Sequence, residues 1–297
     1  MRQPDRRSGL AEACSFAALP PTPDPALSVH LETFRNIFGN IPQQYLGVGR
    51  RLQFGQRGSR RETNRHHAAL LLSLPGYFSL IKHTDLFVLF DTVQYIHHGW
   101  IERNRILKQQ DGWLYIRVPR IKHHRETLIK DVRLDNSQDW RRSLFSQLDV
   151  YRKVAPYYRD VREMIAASLD HPFEDIVSLN KTTLEATCAY LGFPRQMPVL
   201  SRMDLPMERP KAPDEWALNI CKALGSVEEY WNPPGGQSFF DRRKYDAAGL
   251  TLRFQEPKLV PYEQKRPTFE AGLSIIDVMM FNSPADTSRM LDAYELS

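Results

Sequence analysis

Between Asp91 and Arg105 the chain reads DTVQYIHHGWIERNR, placing two carboxylates, two imidazoles, an indole and two guanidinium groups within fifteen residues. Such groups do acid–base and anion-binding chemistry. An imidazole titrates near neutral pH, so His98, beside Trp100, is the first candidate for a general acid or base, with the carboxylate of Asp91 as the alternative. Arg103 and Arg105 offer planar forks that fit phosphate or carboxylate. Gln94, Tyr95, Trp100 and Asn104 complete a candidate substrate-binding set. Each residue alone also fits a structural role, Asp91 as a turn cap and the arginines as a solvated face; it is the density of the cluster that favours a site.

The elements around this run must position it. Leu86 to Phe90 is a short apolar, aromatic and β-branched run of the kind a strand buried on both faces requires, and it stops abruptly at Asp91. Sites in α/β sheets lie outside the carboxyl ends of strands, where this loop would sit. Further strands are expected at Ala68–Leu74, Trp113–Ile121 and Leu128–Leu134, with a short helix over Gly76–His83. Apolar residues at helical spacing predict a helical part over about 137–192, stopped by Gly192 and Pro194. A βα rhythm follows: strands at Pro198–Ser201, Glu229–Trp231 and Leu250–Phe254, and helices at Asp214–Leu224 and Phe240–Ala248. The fold class is therefore α/β, a Rossmann-like mostly parallel sheet with a helical layer or insertion.

Other motifs are softer. Gly235 and Gly236, after the short strand at Glu229, can present backbone N–H groups to an anion, although Pro-Pro-Gly-Gly also makes a chain reversal. The pairs His66/His67, His97/His98 and His123/His124 look like metal ligands, but adjacent side chains point apart on either a strand or a helix. No metal or cofactor is expected. Ser274 fits a helix N-cap and Asp277 a first-turn charge, with Ile275, Ile276, Met279 and Met280 as core positions.

The string VQYIHHGWIERNRI, with GYFSLI and DLFVLFD before it, resembles the signature of the WbqC-like family, bacterial proteins often encoded among genes for O-antigen and other surface polysaccharides. WLYIRVP, LIKDVRLDN, SLNKTTLEAT, ICKALGSVEEYWNPPGG and YEQKRPTFEAGLSIIDVMMFNSP continue the resemblance, in order, over roughly residues 68 to 295. The chain departs from the pattern at three places: Ala68 and Ala69 stand at the positions of an opening Gln-Pro, Thr92 where a second Asp is usual, and Glu102 where Asn is usual. The resemblance implies a pathway more than a reaction. It points to a transferase of surface-polysaccharide assembly, with acyl or aminoacyl transfer to a nucleotide-linked amino sugar as one chemistry; Asp91 or His98 would take the amine proton and Arg103 and Arg105 would clamp the anion. The missing opening motif motivates the alternative, a non-catalytic member that binds a sugar nucleotide or a partner protein.

Composition agrees with a globular chain. The 297 residues are 42% hydrophobic and 25% charged, enough to bury one large core or two modest ones. A net charge of +5 favours anionic partners such as nucleotides, sugar phosphates or RNA without by itself arguing for nucleic acid, and the resemblance implies a small anionic substrate, a nucleotide sugar or an activated acyl donor. Cys14, Cys188 and Cys221 lack metal or disulfide spacing, and no apolar run is long enough to cross a bilayer, so a cytoplasmic setting is expected. The Pro/Arg-rich residues 1–66 read as a poorly ordered extension to a WbqC-like α/β domain at 67–297.

Overall fold

The computed structural model describes residues 63–67 and 71–297, except His98 and Leu259. Its main sheet contains β1 (Thr63–His67), β2 (Leu86–Leu89), β5 (Glu229–Asn232), β6 (Thr251–Pro257) and β7 (Tyr294–Leu296), in the order β2-β1-β5-β6-β7. β1 pairs in parallel with β2 and β5, and β5 with β6; β7 closes the edge antiparallel to β6. The remaining strands, β3 (Arg103–Leu107) and β4 (Trp113–Arg117), form a separate antiparallel hairpin.

Alternation along β2 shows how the sheet is covered. Phe87 and Leu89 join one apolar cluster while Val88 and Phe90 join another, as a period of two requires when both faces are buried. The first cluster takes α1 (Pro75–Lys82), the hairpin, the helices α2 (Trp140–Leu148), α3 (Tyr158–Ser168) and α4 (Ile176–Tyr190), and α7 (Ile275–Phe281). The second takes α5 (Glu215–Leu224) and α6 (Arg242–Ala247). A short α8 (Pro284–Met290) leads into β7. Caps fix the helix starts: the side chains of Asp139, Asp175 and Ser274 accept backbone N–H bonds from Arg142, Ser178 and Ile276.

Gly76 shows why α1 lies where it does. A Cβ there would stand 2.8 Å from the Pro257 ring at the end of β6, so only glycine permits this approach of helix to sheet.

Several sequence expectations shift. Thr63–His67 is the first strand among the described residues, and of the strand expected at Ala68–Leu74, Leu71 and Leu72 form a turn, with Leu72 at φ 43°, while residues 68–70 lie outside the described residues. The apolar pattern of Leu71 and Leu72 reflects burial in a turn, which periodicity alone does not separate from burial in a strand. Leu128–Leu134 is a 3-10 turn at Ile129–Asp131 flanked by isolated bridges, and Pro198–Ser201 contributes one parallel bridge, Val199 to Leu89. β3 stands where a loop is expected, since Arg103 and Arg105 on one face and the buried Asn104 on the other leave no apolar alternation. The helices expected at 137–192, Asp214–Leu224 and Phe240–Ala248 are present, with ends moved by a few residues.

Candidate functional site

The nominated run splits between a buried brace and an open face. Asn104 is buried; its Nδ2 donates to the carbonyls of Leu71 and Leu72, both at 3.0 Å, and its Oδ1 accepts from Arg105 N at 2.8 Å. Ser274 Oγ also donates to the Leu72 carbonyl, and Ser274 N donates to Arg105 O at 2.9 Å. The turn that leaves β1, strand β3 and the start of α7 are thereby locked together. Such bonds hold a non-glycine residue, Leu72, in the left-handed region, which costs on the order of 1–3 kcal/mol.

On the other face of β3, the arginines meet aromatic rings. The Arg105 guanidinium lies 4.2 Å from the Trp113 ring centre and 5.0 Å from that of Trp100; Arg103 lies 4.3 Å from Tyr115. The register explains this: Arg103 pairs with Arg117, Arg105 with Tyr115 and Leu107 with Trp113, so alternate positions fall on one face. Trp113 is 36% exposed, while Arg105 Nε is buried and has no hydrogen-bond partner among the described residues. An aromatic and guanidinium surface of this kind binds flat rings by stacking and oxyanions by forked hydrogen bonds.

Other nominated groups are engaged within the protein. Asp91 is buried, its carboxylate accepting from Ser201 N at 3.0 Å and Ser201 Oγ at 2.5 Å. Burial raises its pKa above the usual carboxylate value, an effect these bonds and Arg202 oppose. Gln94 Nε2 donates to Arg125 O at 2.7 Å. Gly236 is a packing position, where a Cβ would meet the Asn232 side chain at 2.4 Å and Phe240 at 3.0 Å, and its N–H donates to Pro233 O. Gly235 belongs to the same 3-10 turn. His98 lies outside the described residues, as do Ala68 and Ala69.

Tyr95 leads to a cluster that the sequence reading missed. Arg120 Nε donates to Tyr95 Oη at 3.0 Å, and its two amino nitrogens face His123 Nε2 at 3.2 Å and His97 Nδ1 at 3.0 Å. The two imidazoles stack with centres 5.1 Å apart and planes at 24°. Burial holds the Tyr95 phenol well above its ordinary pKa, and the neighbouring Glu102 carboxylate, which accepts its hydrogen bond, raises it further. One imidazole comes from each of two histidine pairs. Adjacent histidines could not share a partner, but members of different pairs could, and only the chain path decides which meet. An Asp111–Gly112 turn between Arg103–Leu107 and Trp113–Arg117 was the signal that would have found the hairpin.

A third polar group lies under the hairpin. Asp277 is fully buried and accepts from Tyr151 Oη at 2.6 Å, from Tyr262 Oη, and from Gln264 Nε2 at 2.8 Å; Tyr151 Oη in turn accepts from Leu107 N at 3.0 Å. Burial raises the Asp277 pKa against these three bonds. A separate groove of about 790 Å³, lined in part by Arg152, Arg159 and Arg162, includes none of the nominated residues.

Among the described residues, no group of three or more His, Cys, Asp or Glu side chains is arranged to hold a metal ion, and no helix is long and apolar enough to cross a membrane. Residues 71–289 match the model of the WbqC-like protein family. Uncharacterized protein Rv1507c of Mycobacterium tuberculosis (strain ATCC 25618 / H37Rv) is 28% identical over 214 residues, which cover 71% of this chain and 89% of that protein. No solved structure matches the chain.

Proposed function

Because the chain belongs to the WbqC-like protein family, we propose that it is a cytoplasmic transferase of bacterial surface-polysaccharide (O-antigen-type) assembly, acting on a nucleotide-linked sugar. The observation that carries this reading is the face built by Arg103 and Arg105 among Trp100, Trp113 and Tyr115. Aromatic faces take the base or sugar ring and the guanidiniums take the phosphates. Acyl or aminoacyl transfer to a sugar amine is the chemistry favoured.

A Rossmann-like reading of the sheet supports the location. The strand order runs from β1 to β2 on one side and from β1 to β5 and β6 on the other, and ligands of such sheets bind outside the strand ends where the order reverses. The turn after β1 is the segment to which Asn104 ties the hairpin, and Leu71 N donates to Trp100 O at 3.3 Å. In this reading Asp91 and Asn104 position the face rather than touch substrate, since their polar atoms are bonded internally.

One observation favours the alternative, a non-catalytic binder of a sugar nucleotide or partner: the Asp91 carboxylate is buried, with both oxygens bonded to Ser201 rather than turned to an open face. Thermal-shift and calorimetric titration of the full chain with nucleotide sugars tests both readings. Binding that weakens roughly tenfold or more in Arg105→Gln and in Trp113→Ala supports the face, a loss consistent with one charge-assisted contact or one stacked ring. Unchanged affinity in both variants removes it. Binding with no turnover of any acyl or aminoacyl donor tried selects the binder.

A further inference from the structure

The geometry points to a second anion site, centred on Arg120, that takes the phosphate or pyrophosphate group of a ligand. Arg120 is held in place before any ligand arrives: one N–H is spent on Tyr95 and one on each of the stacked imidazoles of His97 and His123. A guanidinium has five N–H groups, so two remain. Arg120 is half-buried, and it forms no ion pair among the described residues. Its counter-charge is Glu102, buried and one step away through the Tyr95 phenol, which offsets the cost of burying the cation without occupying its remaining donors.

A guanidinium only donates, so the ring nitrogens that face it must carry lone pairs. His97 therefore carries its proton on Nε2 and His123 on Nδ1, the latter donating to His124 O at 2.8 Å. Both rings are bound to Arg120 by atoms that an anion would not contact, so an oxyanion adds to the cluster without breaking it. Lys122 and Arg125, exposed on the same loop, add positive potential around it. Two donors on a fixed, planar fork suit the tetrahedral oxygens of phosphate.

The histidine ring nitrogens of the uniformly ¹⁵N-labelled full chain report on this site directly. Signals of His97 and His123, assigned with His97→Gln and His123→Gln, should show the two tautomers named above and should move on titration with inorganic pyrophosphate. Arg120→Gln should weaken that binding roughly tenfold or more. Pyrophosphate that saturates the protein while both rings stay unmoved overturns the proposal, as does equal affinity in a folded Arg120→Gln variant. Should that variant fail to fold, the response of the wild-type rings alone decides. The two sites fail separately. Nucleotide-sugar binding that survives with the rings unmoved removes only the Arg120 site; loss of the Arg105 and Trp113 dependence with the pyrophosphate response intact removes only the hairpin face.

Discussion

Two buried polar residues, Asn104 in the hairpin and Asp277 beneath it, carry predictions of different kind. Replacing Asn104 by Ala leaves the Leu71 carbonyl without its donor and the Leu72 carbonyl with Ser274 Oγ alone, and an orphaned buried group costs about 1–3 kcal/mol. Chemical denaturation should show a loss of that order with the midpoint lowered and the slope unchanged; a neutral result would mean that Ser274 alone holds the Leu72 turn. Asp277 makes a prediction in pH. Its folded-state pKa is raised, chiefly by burial, above the ordinary carboxylate value. The folded protein therefore holds that proton to higher pH than the unfolded chain, so the group's burial cost is absent at acid pH and is incurred as pH rises through the carboxylate range. Thermal unfolding of wild type and Asp277→Asn across pH 4 to 8 should show their difference moving in favour of wild type as pH falls. Movement the other way would mean that the hydrogen bonds from Tyr151, Tyr262 and Gln264 outweigh burial. These residues were in plain view in the sequence, yet their roles were not: Asn104 sits in a polar run with arginines on either side, and only the pleat of β3 sends it inward while they point out.

At the level of elements, α1 is placed by one close contact and the hairpin by a set of buried hydrogen bonds. Gly76→Ala raises intrinsic helix propensity by up to about 1 kcal/mol, yet it drives a methyl into Pro257. The expected net effect is destabilisation of about 1–3 kcal/mol, read as a lowered Tm, because overpacking at the helix–sheet contact outweighs propensity. A raised Tm would show that α1 can move off β6 at little cost. The helices were the most legible elements. α4 has its Asp175 cap and a long apolar stripe, and α5 ends at Gly225, signals carried within the segment itself. Of the hairpin, β4 falls within the strand expected at Trp113–Ile121, while β3 was illegible for the converse reason: its outward positions hold Arg103 and Arg105 and its inward one Asn104, so no apolar alternation marks it as a strand.

For the molecule as a whole, β1 is the keystone of the sheet, paired in parallel on both sides. Proline at Arg65 removes a backbone donor from a central strand, which sheets tolerate only at edges or bulges. Arg65→Pro should abolish the cooperative thermal transition or lower it far more than Glu295→Pro, which lies in the edge strand β7. Similar effects of the two would place the stability elsewhere than in the central strands. The family was legible in the sequence, since an ordered series of short motifs survives whatever the fold does with them. So were the α/β class, the helical part and the buried strand Leu86–Leu89, each encoded in the period of its own apolar residues. What only the tertiary structure decided is which polar residues meet. His97 finds His123 through Arg120, and Arg105 finds Trp113, across turns whose geometry no local pattern specifies. Periodicity records which side of an element is buried; it carries no information about which two elements share a surface, and a site is a property of that sharing.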